Sequence, residues 1–103
     1  MRKSLVKGGI AAALDIGSSK VCCFIARSDT GGAPRVIGIG QQASRGIKGG
    51  AIVDMELAET SVLNAVHAAE QMAGETIDRV VVSLSGGYPA SSSVGVEVSL
   101  NGH

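Results

Sequence analysis

Apolar residues in this chain follow two rhythms. Ile10–Ile16 is a continuous small and apolar run that ends in Asp-x-Gly, and its length and flanks predict a buried strand. Gly17-Ser18-Ser19 is a turn signal. Lys20–Arg27 is again β-rich, with Val21, Cys22, Cys23, Phe24 and Ile25. After the Gly-rich loop Ser28–Pro34, the segment Arg35–Gln41 alternates through Val36, Ile37 and Ile39 and reads as a third strand. These three predict an antiparallel meander.

The rhythm then changes. Ala43–Val53 reads as a loop with three Gly and the cations Arg45 and Lys48. Asp54 is a good N-cap. From Met55 the apolar residues Ala58, Val62, Ala65, Val66, Ala69 and Met72 recur at steps of three and four, which predicts a helix with its Met55/Val62/Ala69 stripe toward the core. Gly74 stops it. Val80-Val81-Val82 and Leu84 form a β-branched run expected to be buried on both faces. A strand, a helix and a further strand in this order predict a crossover that returns parallel to the first strand. The turns after both strands then share one carboxyl edge, where ligands of α/β sheets bind. Ser85–Ser93 is rich in breakers and reads as a boundary. Val94–Leu100 alternates and is expected to lack a partner strand, as if the sequence were cut rather than finished.

Composition narrows the class. The 103 residues are 45% hydrophobic, too apolar for a disordered chain. Two Cys make no disulfide scaffold, and no apolar run is long enough for a spanning helix. One Tyr and one Phe give no base-stacking platform, so no nucleic-acid partner is expected. Net charge is zero, yet residues 1–50 hold eight Lys/Arg against two acids, and residues 51–103 hold one against seven. Opposite fields on two parts of one solvated surface account for that. Met1–Lys7 is basic and Gly8–Leu14 apolar, which mimics a secretory leader. Asp15 closes the run after seven residues without a convincing cleavage site, so the cytosol is the expected compartment. Adjacent Cys22 and Cys23 would point to opposite faces of a strand as fillers rather than metal ligands.

The candidate chemistry lies in Asp15-Ile16-Gly17-Ser18-Ser19-Lys20. Gly17 admits an anion close to backbone N–H groups. Ser18 and Ser19 add hydroxyl donors, and successive amides can nest phosphate oxygens. Lys20 offers a point charge. Asp15 suits a hydrated Mg²⁺, which keeps its water and takes few carboxylates. An ordinary hairpin turn preceded by Asp is the competing reading. His67 reads as solvent-facing, Glu56 and Glu59 as complements of the helix dipole, and Arg45 and Lys48 as a solvated loop. No Ser-His-Asp set has support in the chain.

The strand–DIGSSK–strand opening resembles the first phosphate loop of the actin-like ATPase superfamily. Arg35–Gly40, Ser44-Arg45-Gly46-Ile47-Lys48-Gly49-Gly50-Ala51-Ile52-Val53-Asp54, the helix, and Val82-Ser83-Leu84-Ser85-Gly86 together resemble the FtsA family of bacterial cell-division proteins. The resemblance runs from about Ala12 to the end. It implies an α/β, actin-like (ribonuclease H-like) fold. Residues 1–9 would be a basic tail, 10–84 the first part of actin-like subdomain 1A, and 85–103 the start of an inserted α/β subdomain, truncated here. It implies ATP and Mg²⁺ as cofactors, with Asp15, Gly17, Ser18, Ser19 and Lys20 on the phosphate side and Asp15 holding Mg²⁺ through water. Ser85 and Gly86 match the turn before the insertion.

The implied partners are the tubulin-like division protein FtsZ, further copies in a filament, and the cytoplasmic membrane. The membrane would be reached through a C-terminal helix absent from these 103 residues, and the implied place is the inner face of that membrane at the division site. No catalytic residue is implied, and ATP turnover is not fixed by the resemblance. The second phosphate loop and adenosine segment are also absent, so these residues alone are expected to bind ATP weakly or not at all. Two alternatives are a sugar or acetate kinase of the same superfamily, which more often carries D-x-G-G-T, and a pilus-assembly relative.

Overall fold

The computed structural model describes residues 9–28, 33–49, 51–84 and 95–99. The basic tail before Gly9, the tip of the Gly-rich loop and the Ser85–Gly86 turn lie outside the described residues.

Strands β1 (Ile10–Ile16), β2 (Lys20–Arg27) and β3 (Arg35–Ala43) form the expected antiparallel meander. Helix α1 (Met55–Ala73) then crosses over to β6 (Arg79–Leu84), which runs parallel to β1. A final strand, β7 (Gly95–Ser99), closes a five-stranded sheet of order β3-β2-β1-β6-β7.

Alternation along β1 and β2 decides which side chains are buried. Ala12 and Leu14 of β1, and Val21, Cys23 and Ile25 of β2, face α1 and are buried. Ala58, Ala65, Val66 and Ala69 supply the helix side of this core. Alanines are required there because α1 lies very close to β3. A Cβ at Gly40 would collide with the Ala65 carbonyl and the Ala69 amide of α1. The helix ends as its sequence dictates. Asp54 Oδ1 accepts the Leu57 N–H at 3.1 Å, and Gly74 takes a left-handed φ of 70° while its N–H donates to the Glu70 carbonyl at 2.8 Å. Glu70 Oε2 then accepts the Ile77 N–H at 2.9 Å and leads the chain toward β6.

Four expectations need correction. Met55 and Met72 are each 65% exposed and do not belong to the core stripe. Met55 opens the helix before it reaches the sheet. Met72 lies at the sheet edge, where its Sδ accepts the Ile39 N–H of β3. The Val80 run is not buried on both faces: Val80 is buried, whereas Val81 and Val82 are only half-buried, because α1 lies over β2 and β3. The loop after β3 holds a small hairpin, β4 (Ile47–Lys48) with β5 (Ala51–Ile52). The alternating segment after residue 93 does have a partner: β7 pairs antiparallel with β6.

Among the described residues, no element packs on the face of the sheet away from α1. Phe24 is 38% and Ile39 45% exposed there, paired across β2 and β3.

Candidate functional site

The β1–β2 connection is a tight hairpin. Ile16 pairs with Val21, and the Gly17 N–H donates to the Lys20 carbonyl at 3.0 Å. That leaves Ser18 and Ser19 as an exposed tip. The Gly17 amide is therefore committed within the turn, and an incoming anion would meet the tip residues rather than an uninterrupted run of amides.

Register sets the faces. Leu14 is buried under α1, so Asp15 projects to the open side of the sheet, where it is exposed. Asp15 is opposite Cys22 on β2 and Ser83 on β6. Lys20 precedes Cys22 by two residues and shares its face. Asp15, Lys20 and Ser83 thus share the open face at the carboxyl edge of the parallel pair β1–β6. Sequence spacing brings Asp15 and Lys20 together, and the structure adds Ser83, which sequence reasoning had counted only as part of a family motif. Ser85 and Gly86 lie outside the described residues.

A groove of about 220 Å³ lies near the far end of β3, lined by Gln42, Arg45, Leu57, Thr60 and Asn64. It is on the helix side of the sheet and is separate from the face that carries Asp15.

The Ser44–Asp54 segment is held mainly through backbone groups. The Ser44 N–H donates to the Ser19 carbonyl at 2.9 Å, next to the Lys20–Ala43 pair. The Gly46 carbonyl accepts from both Val53 and Asp54, at 2.7 and 3.1 Å. Gly46 has φ 77°, and a Cβ there would strike the Asp54 carbonyl, so the glycine of the Ser-Arg-Gly motif has a backbone cause. Arg45 and Lys48 are exposed.

The two cysteines separate as their positions predict. Cys22 is half-buried on the open face, where its Sγ accepts from Gln41 Nε2. Cys23 is buried beneath α1, and desolvation, with a smaller contribution from the Glu70 charge, pushes its thiol up to about 11. His67 is exposed on α1. Among the described residues no group of three His, Cys, Asp or Glu side chains could hold a metal ion, and no helix is long and apolar enough to cross a membrane.

No protein-family model matches the chain. Individual proteins do. It is 41% identical over 103 residues to cell division protein FtsA of Rhizobium meliloti, covering 90% of this chain and 23% of that protein. Identity to FtsA of Pseudomonas aeruginosa is 36% over 85 residues, covering 82% and 20%. Identity to FtsA of Streptococcus pneumoniae is 38% over 82 residues, covering 80% and 18%. The chain therefore spans less than a quarter of the length of these relatives. Among solved structures, a diol dehydratase-reactivating factor in nucleotide-free form superposes with a TM-score of 0.56 at 21% identity. That match covers 72% of this chain and 12% of the other, a likeness of fold.

Proposed function

In sequence this chain belongs with FtsA, alike over 73–90% of its length, and from that premise we propose that it is part of a bacterial cell-division protein whose Gly17–Lys20 turn holds the phosphates of ATP. One observation carries the reading. The turn, Asp15 and Ser83 meet on one face at the carboxyl edge of two parallel strands, the edge where ligands of α/β sheets bind.

The residues present suit the group. Asp15 offers a hard carboxylate oxygen, Ser18 and Ser19 offer exposed hydroxyls, and Lys20 offers a cation, all near one rim. Mg²⁺ bound with the nucleotide would neutralise phosphate charge. Asp15 would hold that ion through water, and Lys20 would oppose the remaining negative charge. The tip residues would orient the phosphate chain by hydrogen bonds. This edge is one wall of a cleft, and the remainder of a protein of the relatives' length would supply the opposite wall and the adenosine contacts. The same reading gives 10–84 as the first part of an actin-like subdomain, and an inserted subdomain from residue 85 would stay joined to its sheet through the β6–β7 pairing.

Likeness to FtsA also supports three wider roles for the whole protein: binding FtsZ, assembling with further copies, and anchoring division filaments at the inner face of the cytoplasmic membrane. Calorimetric titration of the full-length protein with Mg-ATP and with adenosine tests the phosphate assignment. Lys20→Ala is expected to weaken Mg-ATP binding about tenfold, the scale of one charge-assisted contact, and to leave adenosine binding unchanged. Equal loss for both ligands would contradict it.

A further inference from the structure

Ser61 is the buried polar residue of α1, 4% exposed among alanines and valines. Its hydroxyl has two engagements: it donates to the Leu57 carbonyl one turn back at 3.0 Å, and its oxygen accepts the Arg45 N–H at 3.2 Å. The next amide toward the N-terminus, that of Ser44, donates to the Ser19 carbonyl at 2.9 Å. Ser19 is the second residue of the turn tip, and the Gly17 amide closes the same turn onto Lys20. Three hydrogen bonds, joined through the Ser44–Arg45 peptide, thus connect the helix backbone by way of Ser61 to the Ser19 carbonyl, and a fourth closes the turn itself.

We infer that Ser61 is a positioning residue for the Gly17–Lys20 turn, acting through the Ser44–Arg45 backbone and never touching the nucleotide. The inference rests on the proposed phosphate role of that turn. The physical reason is restraint. A two-residue tip has little packing of its own, because Ser18 and Ser19 are exposed. A third strand tied to both the tip and the helix removes its freedom. The Ser44 hydroxyl does not contribute: its Oγ is buried and has no hydrogen-bond partner among the described residues, so the tie is made by main-chain amides. Truncating Ser61 leaves the Arg45 N–H without its acceptor and frees the strand end that holds Ser19.

Two measurements test this in parallel. In the 103-residue chain, amide hydrogen exchange is read by NMR for Ser61→Ala, Ser61→Cys and Thr60→Ala. Thr60→Ala removes an equivalent hydroxyl that bonds back to Glu56 on the exposed side of the same helix. Ser61→Ala is expected to speed exchange at Ser44 and Gly17 at least tenfold beyond any change at mid-strand amides near Cys23. Ser61→Cys, whose sulfur is a weak acceptor, should fall between, and Thr60→Ala should change neither site.

In the full-length protein, Ser61→Ala should raise the Kd for Mg-ATP about tenfold without altering that for adenosine. Uniform acceleration of exchange across the sheet, or an unaltered Mg-ATP affinity in Ser61→Ala, overturns the inference. If the unsubstituted protein does not bind Mg-ATP, the phosphate reading falls and takes the nucleotide effect with it. The exchange data then decide separately whether Ser61 holds the turn.

Discussion

Asp15 of β1 stands in register with Ser83 of the parallel strand β6, both on the face of the sheet turned away from α1. Parallel pairing of strands this far apart in sequence requires the intervening helix to carry the chain back across the sheet. The relationship therefore depends on β1, α1 and β6 folding together.

Gly40 is the closest approach of β3 to α1. Gly40→Ala places a methyl group against the Ala65 carbonyl, and neither backbone can retreat without unpacking the core. We expect a loss of about 1–3 kcal/mol, the usual cost of overpacking. In urea unfolding of the 103-residue chain this appears as a lower midpoint with an unchanged slope. An unchanged midpoint would show that helix and strand can separate freely.

Asp54 caps α1 through a bond from the Leu57 N–H to Oδ1. Asp54→Ala is expected to cost about 1 kcal/mol. Asp54→Asn keeps an acceptor oxygen and should recover most of it in the same urea experiment.

Burial separates the two thiols. In the native chain Cys22 should react with a disulfide reagent, whereas Cys23 should wait for unfolding. Cys23 also gives a pH dependence of known sign. Its folded value, about 11, exceeds the value near 9 for an unperturbed thiol. Between those limits the unfolded chain has released a proton that the folded chain retains. The contribution to stability is thus complete below pH 9 and declines as pH rises toward 11. Cys23→Ala should flatten that alkaline decline, measured as urea midpoint against pH.

The framework was readable in the residues because local signals agreed with each other. Asp54 and Gly74 bracket a three-to-four periodicity, and a Gly-Ser-Ser turn separates two apolar runs, so β1, β2 and α1 have the expected limits. The same signals could not reveal partners distant in sequence. Periodicity puts Met55 on the inner stripe with Val62 and Ala69, but where α1 meets the sheet decides exposure: Met55 precedes that contact, and Met72, in step with the same spacing, sits at its edge. Alternation at 94–100 announced a strand without saying that β6 had a free edge for it. Ser61 carried no signal at all, since a serine amid alanines is unremarkable until Arg45, sixteen residues earlier, brings its amide to the hydroxyl. At the candidate site the motif identified Asp15 and Lys20, while only the register set Ser83 beside them and only the turn geometry committed the Gly17 amide to Lys20.

The central claim is that the β1–β2 turn and Asp15 hold nucleotide phosphate and its metal. Titrating Mg-ATP into the full-length protein and its Asp15→Ala variant, with and without Mg²⁺, tests it most directly. The account predicts a Mg²⁺-dependent affinity that falls in Asp15→Ala by about ten- to a hundredfold, on the scale of one charge-assisted contact, with little difference between the two proteins when Mg²⁺ is withheld. An Asp15→Ala variant that binds Mg-ATP as tightly as the unsubstituted protein would contradict it.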